Sequence, residues 1–171
     1  AMFQQWGFDA VTVNPYLGRD ALEPFLEHAD RGIFVLCHTS NPGAADFQEL
    51  PLGQGDNQRP LYEQVALKAR EWNSRGNIGL VVGATYPQQL QTVRHLCPDM
   101  VILAPGVGAQ GGDLESTVKY GVNAGGEGLI INASRGVIFA SRNKDDFARE
   151  ARRAAQELRQ AMNRAREEIG R

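Results

Sequence analysis

Five short apolar runs, at residues 9–13, 32–37, 78–82, 100–103 and 128–131, divide an otherwise polar-patterned chain. They are rich in Val, Ile and Leu and do not alternate with polar residues, which marks strands buried on both faces, as in a parallel sheet. Between them the apolar positions move to helical spacing. Leu61, Val65, Ala69 and Trp72 form one stripe, and Leu90, Val93, Leu96 and Cys97 form another in a segment opened by Pro87. Residues 20–26 open a further helix, with Asp20 expected as its N-cap and Pro24 expected in the first turn, where a missing N–H is harmless. The longest periodic run covers 144–169 and places Phe147, Ala151, Ala154, Leu158, Met162, Ala165 and Ile169 on one side. Its arginines are interleaved with Asp and Glu, so its other side is a solvated face laced with i,i+4 pairs rather than a basic binding surface.

Strand and helix alternate throughout, which gives an α/β class with parallel strands. Polar, Gly and Pro residues gather where each strand ends: Asn14-Pro15-Tyr16, His38 to Pro42, Gly83-Ala84-Thr85, 105–113 and 132–135. A (βα) barrel and an open doubly wound sheet both bind ligands at that end.

The richest of these ends is 104–113, in which the run Met100 to Leu103 delivers into a turn with four glycines. Glycine N–H groups converge on an anion where a bulkier residue would clash, so phosphate is the expected guest. Gly106 to Gly111 spells G-x-G-x-x-G. A dinucleotide fingerprint, however, sits at the first βα turn, with its third glycine inside the opening helix and an acid about twenty residues on. Here the element is fourth of five, and Gly111 and Gly112 precede the expected cap Asp113. No P-loop Gly-Lys-Ser/Thr triplet exists. Gln110 reads as a phosphate ligand within the glycine cradle, and Arg135, after the last strand between Ser134 and Gly136, offers a planar fork that matches phosphate oxygens. Ser40, in Thr39-Ser40-Asn41-Pro42-Gly43, is open to two readings: a residue of an Asn-Pro turn, or a hydroxyl aimed at a ligand amide. His38 reads as a structural histidine. The connection 48–60 has little apolar content and reads as a mobile surface loop near the ligand.

A chain of 171 residues is long enough for one domain with a real core. Its net charge of -2 argues against an electrostatic nucleic-acid binder, so any anionic ligand is held by local groups. Cys37 and Cys97 have no metal-ligand spacing and read as buried free thiols, which suits a reducing compartment. No signal peptide and no apolar run approaching about 18 residues is present, so a cytoplasmic protein without a membrane partner is expected.

The phrases Asp9 to Gly18, Thr39 to Ala44, Pro105 to Asp113 and Ser134-Arg135-Gly136, in this order across essentially the whole chain, resemble orotidine 5'-phosphate decarboxylase, in particular the bacterial branch whose lysine motif reads D-A-K-R-G-D. The resemblance implies a (βα)8 TIM barrel, usually a homodimer, that converts orotidine monophosphate (OMP) to UMP and CO2 in pyrimidine biosynthesis, without a cofactor or metal. Carried over by motif, it implies that Gln110 and Arg135 hold the 5'-phosphate, with Pro105 and the backbone near Gly111 and Ser134 assisting. Ser40 matches the serine that meets the pyrimidine amide. The family counters the charge that develops at C6 with lysines and aspartates, some of them in a D-x-K-x-x-D segment. The lysines here, Lys68, Lys119 and Lys144, stand in no such segment, so no catalytic residue is expected in this chain. Against the eight strands of a barrel, residues 1–171 look like a single incomplete domain of about five carboxyl-terminal βα units, with the others expected upstream of Ala1. The alternatives are a non-catalytic partial barrel that binds nucleotide phosphate and another phosphosugar barrel enzyme.

Overall fold

The computed structural model of the chain describes residues 1–55, 58–108 and 112–169. Its strands are β1 (Ala10–Val13), β2 (Gly32–His38), β3 (Pro51–Leu52), β4 (Arg59–Pro60), β5 (Ile78–Val82), β6 (Ile102–Pro105) and β7 (Leu129–Asn132). Its helices are α1 (Arg19–Leu26), α2 (Leu61–Trp72), α3 (Pro87–Leu96), α4 (Leu114–Gly121), α5 (Ser134–Ile138) and α6 (Phe147–Ile169). All five apolar runs enter one parallel sheet in the order β1-β2-β5-β6-β7.

That order never reverses. A doubly wound sheet turns back at a switch point, whereas strands laid down in chain order with right-handed crossovers carry their helices on one face, as a barrel wall does. The burial follows this rule. Ile33, Val35, Leu80, Val82 and Ile102 meet Ala66, Ala69, Leu90 and Val93 of the helices and are fully buried, each large side chain contributing about 1.5–3 kcal/mol. On the opposite face the register sets Leu36 beside Val81, Val81 beside Leu103 and Leu103 beside Ile130. That row is apolar too, yet Leu36 and Leu103 are only half-buried and Ile130 is exposed.

Three local expectations differ from the structure. Helix α1 begins at Arg19 with Gly18, at φ +90°, in the cap position. Asp20 therefore lies in the first turn rather than at the cap, and Pro24 lies inside the helix. The proline removes the hydrogen bond that Asp20 would receive, and the helix ends two residues later at Leu26. Helix α6 starts at Phe147 rather than Lys144, because side chains hold the preceding turn: Ser141 Oγ donates to Asp146 Oδ1 (2.6 Å) and the Asp145 N–H to Asn143 Oδ1 (3.1 Å). The connection 48–60 is tied at both ends. Pro51–Leu52 pairs antiparallel with Arg59–Pro60, and the N–H groups of Leu61 and Tyr62 donate to Leu50 and Gln48. Both cysteines are free and buried. Among the described residues no helix is long and apolar enough to cross a membrane.

Candidate phosphate and base site

The strand ends form a continuous line. The Gly83 N–H donates to the His38 carbonyl (2.8 Å), the Ala84 N–H to the Pro105 carbonyl (2.9 Å), and Pro105 is in register with Asn132. After Pro105 the chain turns at Gly106, whose φ of +102° favours glycine. Val107 then bridges to Gly112, the Gly108 N–H donates to Gly112 (3.0 Å) and the Gly112 N–H to Gly106 (3.2 Å). A Cβ at Gly112 would stand 2.8 Å from the Gly106 oxygen and 2.9 Å from Ala84 Cβ, so no larger residue closes this loop. Immediately beyond, Asp113 caps α4 by accepting from the Ser116 N–H (2.8 Å), and hydrogen bonding from the Ser116 hydroxyl first, then from that N–H, holds its carboxyl below the usual range. Gln110 and Gly111 lie outside the described residues.

At the next strand end, Asn132 Oδ1 accepts from the Ser134 hydroxyl (3.2 Å), and α5 starts there. Pro105, Gly106, Val107, Asn132, Ser134 and Arg135 line one cavity of about 210 Å³. Both candidate phosphate loops therefore meet across β6 and β7. Arg135 is exposed and its guanidinium has no hydrogen bond or ion pair among the described residues, so its donors are open to a ligand. A larger cavity of about 550 Å³ is lined by Asn14, Tyr16, Leu36, Phe47, Leu61 and Val65 among others, and among the described residues its wall carries no charged side chain and no residue of either loop.

Ser40 lies half-buried at the same sheet end, after β2. Its neighbours are occupied structurally: Thr39 Oγ1 donates to Asn41 Oδ1 (2.6 Å), and the Asn41 carbonyl accepts from the Ala44 N–H (3.1 Å). His38 is fully buried, its ring set edge-on to Tyr62 and Tyr86 at centroid distances of 5.1 and 4.6 Å. Its Nε2 meets Glu49 Oε1 at 3.1 Å, while Nδ1 has no hydrogen-bond partner among the described residues. Burial pulls its pKa down, against an opposing pull from Glu49.

Sequence reasoning missed Gln48 and Glu49, which hold this turn, and Arg94. The Arg94 guanidinium is buried at the opposite end of the sheet and donates to the carbonyls of Cys97, Pro98, Met100, Gly121 and Gly128 at 2.7–3.1 Å. Backbone carbonyls have no sequence signature, so nothing marked this arginine out.

Comparison with known proteins bears on what this arrangement serves. The chain is 58% identical over 166 residues to orotidine 5'-phosphate decarboxylase of Roseiflexus castenholzii, covering 96% of this chain and 60% of that protein. The corresponding protein of Thermomicrobium roseum is 52% identical over 170 residues, covering 99% of this chain and 59% of that one. The solved structure of Leishmania donovani OMP decarboxylase superposes with a TM-score of 0.81 at 42% identity, covering 96% of this chain and 60% of that chain. The chain thus spans about 60% of the length of the curated relatives it matches. Residues 1–151 match the model of the orotidine 5'-phosphate decarboxylase / HUMPS family, and on that match and these identities the chain belongs to that family.

Proposed function

We propose that this chain is the phosphate- and base-binding part of an orotidine 5'-phosphate decarboxylase, the enzyme that turns OMP into UMP and CO2 in pyrimidine biosynthesis. The observation that carries the reading is the cavity shared by Gly106 and Arg135, with a guanidinium that no described residue engages beside it. Arg135 and Gln110 grip the 5'-phosphate, with Pro105 and the backbone of Gly111 and Ser134 completing the grip. Ser40, on the same line of strand ends, meets the pyrimidine amide. Phosphate binding far from the reacting carbon supplies remote binding energy to the transition state.

In the same reading the barrel is incomplete within residues 1–171, and the groups that stabilise charge at C6 lie outside them. Lys68 pairs with Glu71 on α2, Lys119 lies over the Tyr120 ring, and Lys144 sits in the turn before α6, so none reaches the cavity. The protein acts in the cytoplasm, where two buried free thiols are at home. It pairs as a homodimer: Tyr16 and Leu17, 82% and 77% exposed, stand after the end of β1 as apolar surface for a second copy to cover.

Calorimetric titration with UMP tests the site. The chain binds UMP, Arg135→Ala removes most of the affinity, and mixing with OMP releases no CO2. Affinity unchanged in Arg135→Ala would remove the phosphate assignment. Equal affinity for UMP and ribose 5-phosphate would favour a different phosphosugar barrel.

A further inference from the structure

The turn that presents Ser40 is held from a distance by one side chain. Gln48 Oε1 accepts the Thr39 N–H (2.8 Å), and Gln48 Nε2 donates to Thr39 Oγ1 (2.8 Å), so a single amide grips the N–H and the hydroxyl of the residue before Ser40. Because Thr39 Oγ1 accepts from Gln48, its proton is directed to Asn41 Oδ1 (2.6 Å), on the other side of Ser40. Gln48 is anchored in turn: its N–H donates to Ala44 (2.8 Å), and its carbonyl accepts from Tyr62 at the start of α2 (2.9 Å). Below the turn Gly83 sets the height, since a Cβ there would lie 2.8 Å from the Cα, Cβ and N of Ser40. The turn is thus pressed onto β5 by close packing and fixed sideways by hydrogen bonds whose direction is set at Gln48.

We infer that Gln48 is a positioning residue for base recognition, acting through Thr39 to aim Ser40 at the pyrimidine. This rests on the reading of Ser40 given above. Only an amide does both jobs. A carboxylate at this position accepts from the Thr39 N–H and draws the hydroxyl proton to itself, which leaves Asn41 without its donor.

The test measures the affinities of UMP and ribose 5-phosphate for the parent chain and for Gln48→Glu, Ser40→Ala and their double variant. Gln48→Glu is expected to weaken UMP roughly tenfold, the scale of one directed hydrogen bond, while ribose 5-phosphate is unchanged. The double variant is expected to bind UMP no worse than Ser40→Ala. Thr39→Val, which keeps shape and loses the hydroxyl, repeats the Gln48→Glu effect and carries the test should Gln48→Glu not fold; Thr39→Ser restores UMP binding. Losses that are equal for both ligands, or that add in the double variant, overturn the positioning role while leaving Ser40 in place. If Ser40→Ala itself leaves the preference for UMP over ribose 5-phosphate unchanged, the reading of the site falls, and this role with it.

Discussion

The sheet has an arginine at each end, and the fold treats them in opposite ways. Where β6 and β7 begin, Arg94 is buried and its donors are taken by five carbonyls, among them Gly121, the last residue of α4, and Cys97, the cap of α3. Helix carboxyl ends carry unsatisfied carbonyls and partial negative charge, so a cation there closes both helices at once. Where the same two strands finish, Arg135 is exposed and none of its donors is engaged by the described residues. One guanidinium is spent on the fold and the other is left for a ligand. In this wall stability sits at the amino-terminal end of the strands and binding at the carboxyl-terminal end, as in barrels generally.

The largest expected effect breaks the first side of this comparison. Arg94→Ala strips charged donors from five buried or partly buried carbonyls and should cost on the order of 4 kcal/mol of stability, read as a lower urea midpoint. Arg94→Lys recovers only part of it, because a point charge with three donors does not span five acceptors. At a temperature where the variant stays folded, UMP affinity should match the parent within about twofold. The mirror experiment is Arg135→Ala. It should weaken UMP roughly a hundredfold, the worth of a charge-assisted pair of bonds to phosphate, and shift stability by less than about 0.5 kcal/mol. Comparable effects of the two variants on both measurements would dissolve the distinction between the ends.

The sequence made one arginine visible and hid the other, and the reason is physical. Arg135 follows an apolar run between small residues, a position where a guanidinium has nothing of its own to bind. Arg94 is not among the apolar positions of its helix, stands beside His95 and looks like surface; only folding brings the carbonyls of distant segments around it. The five strands were legible because both of their faces carry Val, Ile and Leu, even where, as at Ile130, the second face is exposed among the described residues. The start of α1 was not, because Asp20 carries the residue type of a cap while the backbone places Gly18 there. Gln48 was hidden for the reason that hid Arg94: its partner is a backbone N–H and a hydroxyl nine residues earlier, joined by a turn that polar composition presents as loose. Ser40 and Arg135 stand at the strand ends where they were expected, and Gly106 shares a cavity with Arg135. Gln110 and Gly111 fall outside the described residues.

A smaller effect sharpens the comparison through pH. Burial lowers the pKa of the Arg94 guanidinium, yet an arginine keeps its charge across the working range, so its bonds contribute no proton-linked term near neutrality. The other end holds His38, fully buried between Tyr62 and Tyr86, with Glu49 as the polar partner of its ring among the described residues. Burial lowers its pKa below the ordinary 6.5 more than Glu49 raises it. The neutral ring is therefore favoured in the folded state, and the unfolded chain takes up a proton first as pH falls. The stability this provides is fully present above 6.5 and is lost as pH drops from there through the folded value. The urea midpoint should accordingly decline between pH 7.5 and 5.5, and His38→Gln, which has no imidazole to protonate, should flatten that decline. Should the midpoint instead rise as the solution is acidified, Glu49 would be governing the ring, and the carboxyl-terminal end would be held together by an ion pair rather than by burial of a neutral histidine.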